Sequence, residues 1–303
     1  MSGKGKIKAV FSDLDGTLLN ENHKISEYTL NVLKRLKEET DVCFVVATGR
    51  PYADVFPTLT DCGLEPDYII TSNGARIHDR NRKMIVKHDI EPSLVKQIID
   101  RANELSVASE EESVELSKNE NLCDPRIPKL INGRKFTLNM YQEADWVVDM
   151  GIPEVAAAYH PKFQYKDIGS KFYSLSEADL QNVHELYFLG DNSNLHPLKA
   201  QLDAQFSQQV TTTFSIPFIV DCVLASVNKG RAITDVCERL GLNVSEVAAF
   251  GDGMNDEKML ATAGYSFTMA NANPDLVAAV PKATGIASNE EDGVAKQLEK
   301  LFF

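Results

Sequence analysis

Two short segments of the chain carry carboxylates at spacings that could hold a divalent cation. Asp13 and Asp15 stand two residues apart, directly after an apolar run. In an extended strand alternate residues face the same way, so both carboxylates can approach one ligand. Asp252 and Asp256 form a second pair in a glycine-containing loop. Each pair alone is as typical of a turn or a helix cap as of a binding site. Together the two pairs predict an oxygen-rich site suited to Mg²⁺.

A second set of residues offers groups that bind phosphate. Thr48 and Gly49 follow another apolar run and supply a hydroxyl and a backbone N–H. Lys229 begins a predicted helix, and Asn255 lies in the second acidic loop. Beside a metal, these are the groups that a phosphate needs. A lysine at a helix start is by itself typical of solvated surface, so this interpretation depends on the carboxylates.

Other kinds of site are not indicated. The six histidines contain no H-E-x-x-H segment, which disfavours a zinc site, and no G-x-x-x-x-G-K-[ST] loop occurs. The segment from Gly251 to Gly253 begins like a dinucleotide fingerprint, but Asp256 stands where the third glycine should be. The loop therefore favours acid chemistry over binding of a dinucleotide cofactor.

The elements that must position these residues follow the pattern of a parallel α/β sheet. Helical spacing is predicted for residues 26–39 and 229–240, with Gly241 as a natural stop. Predicted strands precede the polar segments at 7–11, 42–47, 67–70 and 247–250. In open α/β sheets ligands bind outside the carboxyl ends of the strands, which is where these polar segments fall.

The middle of the chain, from about Asp89 to Leu224, has closely spaced strand and helix patterns that predict an inserted α+β domain. Helices are predicted near 94–105, 143–150, 177–184 and 197–206. Strands are predicted at 171–175, 185–189, 210–214 and 218–222. We therefore predict a core of residues 1–88 and 225–303, interrupted by a second domain of residues 89–224.

Composition restricts the partners and the compartment. The 303 residues carry a net charge of −13, which disfavours nucleic acid and anionic membrane surfaces as partners. Five cysteines without a C-x-x-C pair fit a reducing cytosol. The basic start, Met1 to Lys6, lacks a signal-peptide core, and the longest apolar run, 42–47, is too short to span a membrane. We expect a cytoplasmic protein with a small anionic ligand.

Taken in order, the polar segments resemble the four motifs of the haloacid dehalogenase (HAD) superfamily. The matching segments are Asp13-Leu14-Asp15-Gly16-Thr17, Thr48-Gly49-Arg50, Lys229-Gly230 and Gly251-Asp252-Gly253-Met254-Asn255-Asp256. Further matches make the chain similar to the Cof-like, type IIB-capped phosphatases: Ser72-Asn73-Gly74-Ala75, Asn271-Ala272 and Glu291-Asp292-Gly293-Val294-Ala295. Asn228 departs from the pattern, because the family usually has Ser there. The resemblance implies a Rossmann-like parallel sheet with an inserted α+β cap that determines substrate specificity.

The resemblance also implies a reaction and its residues. It implies an Mg²⁺-dependent phosphatase acting on phosphate monoesters of small metabolites, with sugar phosphates expected. Asp13 would be the nucleophile that forms an aspartyl-phosphate, and Asp15 the general acid and base. The metal would be held by Asp13, by Asp252 and by the backbone carbonyl of Asp15. The implied phosphate or substrate contacts are Leu14, Thr48, Gly49, Arg50, Lys229 and Asn255.

Two of these roles have alternatives. Asp256 would position Lys229 or a metal-bound water. Arg50 would either reach the substrate or pair with a carboxylate at the sheet edge.

At the level of function, the alternatives are a phosphotransferase or phosphomutase on the same core, and a non-catalytic phosphometabolite sensor. The sensor is disfavoured because a binding module has no need for both Asp13 and Asp15.

Overall fold

The structure, a computed structural model, describes residues 6–119 and 121–303, so most of the basic start lies outside the described residues. The chain forms two compact units. One consists of the described residues up to Lys87 together with Val227–Phe303, and the other is His88–Ser226. The sequence prediction placed the two boundaries after residues 88 and 224. The role of the inserted unit as a substrate-specificity cap stays a prediction.

The first unit begins with alternating strands and helices. Ser26 caps the first helix, because its Oγ accepts the N–H of Thr29 at 3.0 Å. The elements are β1 (Ala9–Ser12), α1 (Glu27–Glu39), β2 (Cys43–Ala47), α2 (Tyr52–Asp61), β3 (Tyr68–Thr71), β4 (Arg76–Asp79) and β5 (Met84–Lys87).

The inserted unit is a sheet with helices. Its elements are α3 (Pro92–Ser106), α4 (Glu110–Ser117), β6 (Phe136–Gln142), β7 (Asp145–Val148), α5 (Pro153–Ala156), β8 (Tyr165–Asp167), β9 (Val183–Gly190), α6 (Asn192–Phe206), β10 (Val210–Ile216) and β11 (Ile219–Leu224). The strand order is β10-β11-β9-β6-β7-β8, and the pairs are antiparallel except β7 with β8. One face of this sheet packs against the apolar sides of α3 and α6.

The chain then returns to the first unit. The remaining elements are α7 (Lys229–Leu240), β12 (Val247–Gly251), α8 (Glu257–Thr262), β13 (Tyr265–Thr268), α9 (Pro274–Ala279), β14 (Thr284–Gly285) and α10 (Gly293–Phe302). As predicted, α7 ends at Gly241, which adopts the left-handed conformation.

The sheet of the first unit has the order β14-β13-β12-β1-β2-β3-β4-β5. Strands from β14 to β3 are parallel, whereas β4 and β5 are antiparallel additions that the sequence prediction did not include. Helices α1, α2 and α10 cover one face, and α7, α8 and α9 cover the other. All residues of β1 and β12 are buried, which explains their continuous apolar sequences. The predicted α/β fold with a parallel sheet core is confirmed.

Three elements predicted in the inserted unit are wrong. Residues 143–150, predicted as a helix, form a turn and β7. The prediction failed because β7 has buried residues on both faces, so that its consecutive apolar residues resemble a helical pattern. Residues 171–175 lie largely in a 3₁₀ helix, Gly169–Ser174, with Phe172 and Leu175 buried three positions apart. The helix predicted near 177–184 is also absent. Residues 177–182 form turns, and β9 begins directly after Asn182, whose φ is 65°. The strand β6 was not predicted.

Among the described residues, no helix is both long enough and apolar enough to cross a membrane.

Candidate active site

The predicted site residues of the first unit gather at the carboxyl ends of its central strands. Asp13 follows β1, and its N–H donates to the carbonyl of Phe250 in the adjacent strand β12 at 3.0 Å. Thr48 follows β2, and its N–H donates to the carbonyl of Ile70 in β3 at 2.9 Å. Parallel pairing therefore brings together motifs that are far apart along the chain.

A buried lysine is at the centre of this cluster. Lys229 is the first residue of α7 and is fully buried. Its Nζ lies 2.6 Å from Oδ1 of Asp13 and 2.6 Å from Oδ1 of Asp256. Burial opposes the charge on Lys229, but the two carboxylates raise the pKa of its ammonium above the ordinary value. Lys229 therefore stays a cation that holds both carboxylates.

Asp256 is satisfied entirely within the protein. While its Oδ1 accepts from Lys229, its Oδ2 accepts the backbone N–H groups of Asp252 and Gly253, each at 3.0 Å. The side chain is fully buried. The loop from Asp252 to Asp256 thus closes around this carboxylate, which also contacts Lys229. The role of Asp256 in positioning Lys229 stays a prediction.

Asp252 is held by the first motif. Thr17 Oγ1 donates to Oδ1 of Asp252 at 2.8 Å. Gly16 has a φ of +70°, and a Cβ built there would overlap the Asp252 carboxylate, so only glycine allows this close approach. Burial and the charge of Asp256 raise the pKa of Asp252 to about 7.

Three carboxylates come close enough to share one cation. Asp13, Asp252 and Asp256 each offer an oxygen, and these oxygens lie within 4.8 Å of one another. Burial is the main cause that raises the pKa of Asp13 well above its ordinary value, and Lys229 only partly opposes it. Three buried carboxylate oxygens at this separation are a donor set that fits a hard divalent cation.

The Asp15 side chain has a different partner. Arg50 donates from Nε and Nη2 to the two oxygens of Asp15, both at 2.6 Å. The same guanidinium donates from Nη1 to the buried Asp54 at 2.9 Å. Burial opposes the charge, but both carboxylates raise the pKa of Arg50. Arg50 is therefore paired with carboxylates in this structure, and its contact with a substrate stays a prediction.

The other predicted phosphate contacts line the same edge. Thr48 is buried, and its Oγ1 accepts the N–H of Arg50 at 3.1 Å. Asn255 Nδ2 donates to Oδ1 of Asn73 at 3.1 Å. The Leu14 side chain belongs to the hydrophobic core, so only its main chain can contribute to a binding site.

Three residues in this arrangement had no predicted role: Thr17, Asp54 and Asn73. Thr17 and Asn73 stand inside the recognised motifs, so the sequence singled them out without indicating their contacts. Asp54 lies four residues after Arg50, which stands two residues before α2 begins. That spacing is the signal by which Asp54 could have been found.

The family comparison agrees with this geometry. The model of the haloacid dehalogenase-like hydrolases matches residues 10–298. The chain therefore belongs to this family, and the resemblance seen in the motifs is confirmed. A similar curated protein is the HMP-PP phosphatase of Serratia proteamaculans, 28% identical over 289 residues, which are 95% of this chain and 92% of the relative. Relatives of this kind support a phosphatase enzyme.

Solved structures show the same fold. A haloacid dehalogenase-like hydrolase from B. subtilis matches with a TM-score of 0.78 and 22% identity, covering 98% of this chain and 100% of the other. The HAD subclass IIB sugar phosphatase BT4131 matches with a TM-score of 0.73 and 22% identity, covering 96% and 98%. The fold of the whole described chain is therefore that of the HAD phosphatases.

Proposed function

We propose that the protein is an Mg²⁺-dependent phosphatase that hydrolyses phosphate monoesters of small metabolites through an aspartyl-phosphate on Asp13. The observation that carries the proposal is the buried Lys229, bound to Asp13 and Asp256 with Asp252 beside them. When they are ionised, the three carboxylates carry more negative charge than the one ammonium offsets. A phosphoryl dianion can enter such a cluster only when a further cation accompanies it.

The donor set indicates which carboxylates would hold the metal. Both oxygens of Asp256 already accept hydrogen bonds inside the protein. We therefore assign Asp13 and Asp252 as carboxylate ligands, together with the main-chain carbonyl of Asp15. When bound, Mg²⁺ would supply positive charge that offsets the carboxylates and stabilises the charge on the phosphoryl oxygens.

The chain's own residues perform the covalent steps. An oxygen of Asp13 attacks phosphorus, the bond from phosphorus to the leaving oxygen breaks, and Asp15 donates a proton to that oxygen. A water then attacks the aspartyl-phosphate and gives its proton to Asp15. Inorganic phosphate leaves, and Asp13 is restored as a carboxylate.

Arg50 sets a condition on the proton transfers. It occupies both oxygens of Asp15 in this structure. Asp15 must therefore exchange one of these hydrogen bonds for the leaving oxygen before it can donate a proton. Its side chain is 43% exposed, which gives it room to change partners, whereas the buried Asp54 keeps Arg50 in place.

The phosphoryl oxygens need donors in addition to the metal. We assign this role to Lys229, the hydroxyl of Thr48, the backbone N–H of Gly49 and the carboxamide of Asn255. Lys229 is already a cation beside the nucleophile, so binding a phosphoryl oxygen requires no change in its protonation. The main-chain N–H of Leu14, next to the nucleophile, is assigned to the same group of donors.

The substrate class and the compartment are proposed from the family resemblance, the name of a relative and the cysteines. Sugar phosphates are the substrates that we expect, and the name of the Serratia relative adds HMP-PP to the candidates. All five cysteines are free thiols, which fits our expectation of a cytoplasmic location.

A phosphate-release assay tests the proposal. The full chain is incubated with a panel of sugar phosphates, HMP-PP and p-nitrophenyl phosphate, with Mg²⁺ or with EDTA. We expect release of inorganic phosphate with Mg²⁺, loss of activity in EDTA and recovery after Mg²⁺ is added back. Turnover that survives thorough chelation would contradict the metal assignment. Conversion of one sugar phosphate into another without phosphate release would indicate a phosphomutase.

A further inference from the structure

The motif Ser72-Asn73-Gly74 lies at the carboxyl end of β3 and has no role in the steps above. All three residues are buried, and all three have left-handed backbone conformations, with φ values of 47°, 54° and 109°. Successive left-handed residues are uncommon outside glycine, and strained backbone persists only where the surrounding structure holds it. We call Ser72–Gly74 the 72–74 turn.

The 72–74 turn is bonded to the loop that carries Thr48 and Gly49. The N–H of Asn73 donates to the carbonyl of Thr48 at 3.1 Å, and the N–H of Ser72 donates to the carbonyl of Arg50 at 2.9 Å. A Cβ at Gly49 would lie 3.3 Å from Oδ1 of Asn73. The turn therefore fixes the backbone of the second motif on one side.

The same turn approaches the third and fourth motifs. A Cβ at Gly74 would lie 2.9 Å from the carbonyl oxygen of Asn228, the residue that caps α7 in front of Lys229. Asn73 Oδ1 accepts a hydrogen bond from Nδ2 of Asn255 at 3.1 Å. A single three-residue turn thus contacts the loops that carry the assigned donors Thr48, Lys229 and Asn255.

We propose that Asn73 is a positioning residue for the phosphoryl site and acts through Asn255. The inference rests on the proposed function, because it takes Asn255 as a phosphoryl contact. An amide nitrogen carries two N–H groups. One N–H of Asn255 is committed to Asn73, which fixes the plane of the carboxamide and leaves the other N–H for a phosphoryl oxygen. Without this acceptor, Asn255 must be ordered by the phosphate itself, which costs affinity.

Substitution of Asn73 by glycine tests the side chain without disturbing the backbone of the turn. Asn73→Gly removes the carboxamide, and the left-handed φ of 54° suits glycine, so the backbone of the turn is kept. A matched control is Asn132→Gly, because Asn132 also has a left-handed φ, 48°, but its Nδ2 donates to Met150 Sδ in the inserted unit.

The experiment is a double-mutant cycle on the full chain, read by calorimetric titration with inorganic phosphate in the presence of MgCl₂. The proteins are wild type, N73G, N255A and N73G/N255A. We expect N73G to raise the Kd for phosphate about fivefold, the loss of roughly one hydrogen bond. In the N255A background the same substitution should change the Kd by less than about twofold. The thermal midpoints of N73G and N132G should fall below that of wild type by similar small amounts.

Three results would overturn the inference. One is an unchanged Kd in N73G, and another is the same loss of affinity in both backgrounds, because the latter means that Asn73 supports the fold rather than Asn255. If N255A alone binds phosphate like wild type, the inference also fails. Phosphate release in the assay of the previous subsection would then still support the phosphatase proposal, so the two failures are distinguishable.

Discussion

Lys229 Nζ lies 2.6 Å from Oδ1 of Asp13, and both side chains are buried. The pair joins the first residue of α7 to the residue that follows β1, across 216 positions of sequence. A buried ammonium beside a buried carboxylate costs desolvation energy that the pair repays only when the geometry is good. Its presence at the end of the parallel strands fits a site built for chemistry rather than for stability.

Removal of the lysine charge should destabilise the protein strongly. Lys229→Met leaves Asp13 and Asp256 buried without their cation, and we expect a loss of about 3 to 5 kcal/mol in the free energy of unfolding. Urea denaturation of the metal-free protein measures this. The control is Lys258→Met, because the exposed Lys258–Glu257 pair should contribute less than about 1 kcal/mol. Equal stability of the two variants would contradict the importance of the buried pair.

Loss of the nucleophile should separate activity from stability. Asp13→Asn has almost the same volume as the wild type and resembles the protonated carboxyl that burial favours. We expect turnover of phosphate monoesters to fall by about a thousandfold or more. The thermal midpoint of the metal-free variant should be equal to or above that of wild type. Activity close to wild type in a carefully purified preparation would contradict the assigned mechanism.

Two glycines with the same backbone angle provide a matched test of the contact with Asp252. Gly16 and Gly63 both have a φ of +70°, but a Cβ at Gly63 meets nothing within 4 Å, whereas one at Gly16 overlaps the Asp252 carboxylate. Gly63→Ala should cost about 1 to 2 kcal/mol of backbone strain and leave activity unchanged. Gly16→Ala should cost more stability and weaken Mg²⁺ binding, measured by titration calorimetry. Equal Mg²⁺ affinities would show that Asp252 can move freely.

The contribution of Asp252 to metal-free stability should depend on pH with a definite sign. Because the pKa of Asp252 is about 7 in the folded protein and about 3.8 otherwise, the folded state binds more protons than the unfolded state within this window. Stability contributed by this carboxyl is therefore lost as the pH rises from about 4 to about 7. Asp13 acts in the same direction.

Thermal unfolding in EDTA across this pH range measures the effect, and Asp252→Asn should flatten the slope. Mg²⁺ should raise the thermal midpoint more at the upper end of the range, because ionised carboxylates bind it better. At a hundredfold excess over its Kd the metal should add about 2.7 kcal/mol. The same slope of the metal-free midpoint against pH in wild type and in Asp252→Asn would contradict the assigned cause.

Local patterns predicted much of the first unit. The helices 26–39 and 229–240 carry their own caps, Ser26 and Gly241, and the strands around them have unbroken apolar runs because both faces are buried. In the inserted unit the apolar pattern gave a wrong prediction, a helix at residues 143–150. There β7 also has buried residues on both faces, and the apolar residues could not be assigned to a strand by period alone.

The sequence by itself determined the α/β class, the order of the polar segments and the family, since each depends on residue types and spacings within short stretches. Only the tertiary structure decided the partners of individual side chains. Arg50 had two open alternatives, and its pairing with Asp15 and Asp54 depends on where β1 and α2 place their ends. The contact of Asn73 with Asn255 joins residues 182 positions apart. Charge and hydrogen-bond energies depend on distances and burial that sheet pairing creates, so no local pattern contains them.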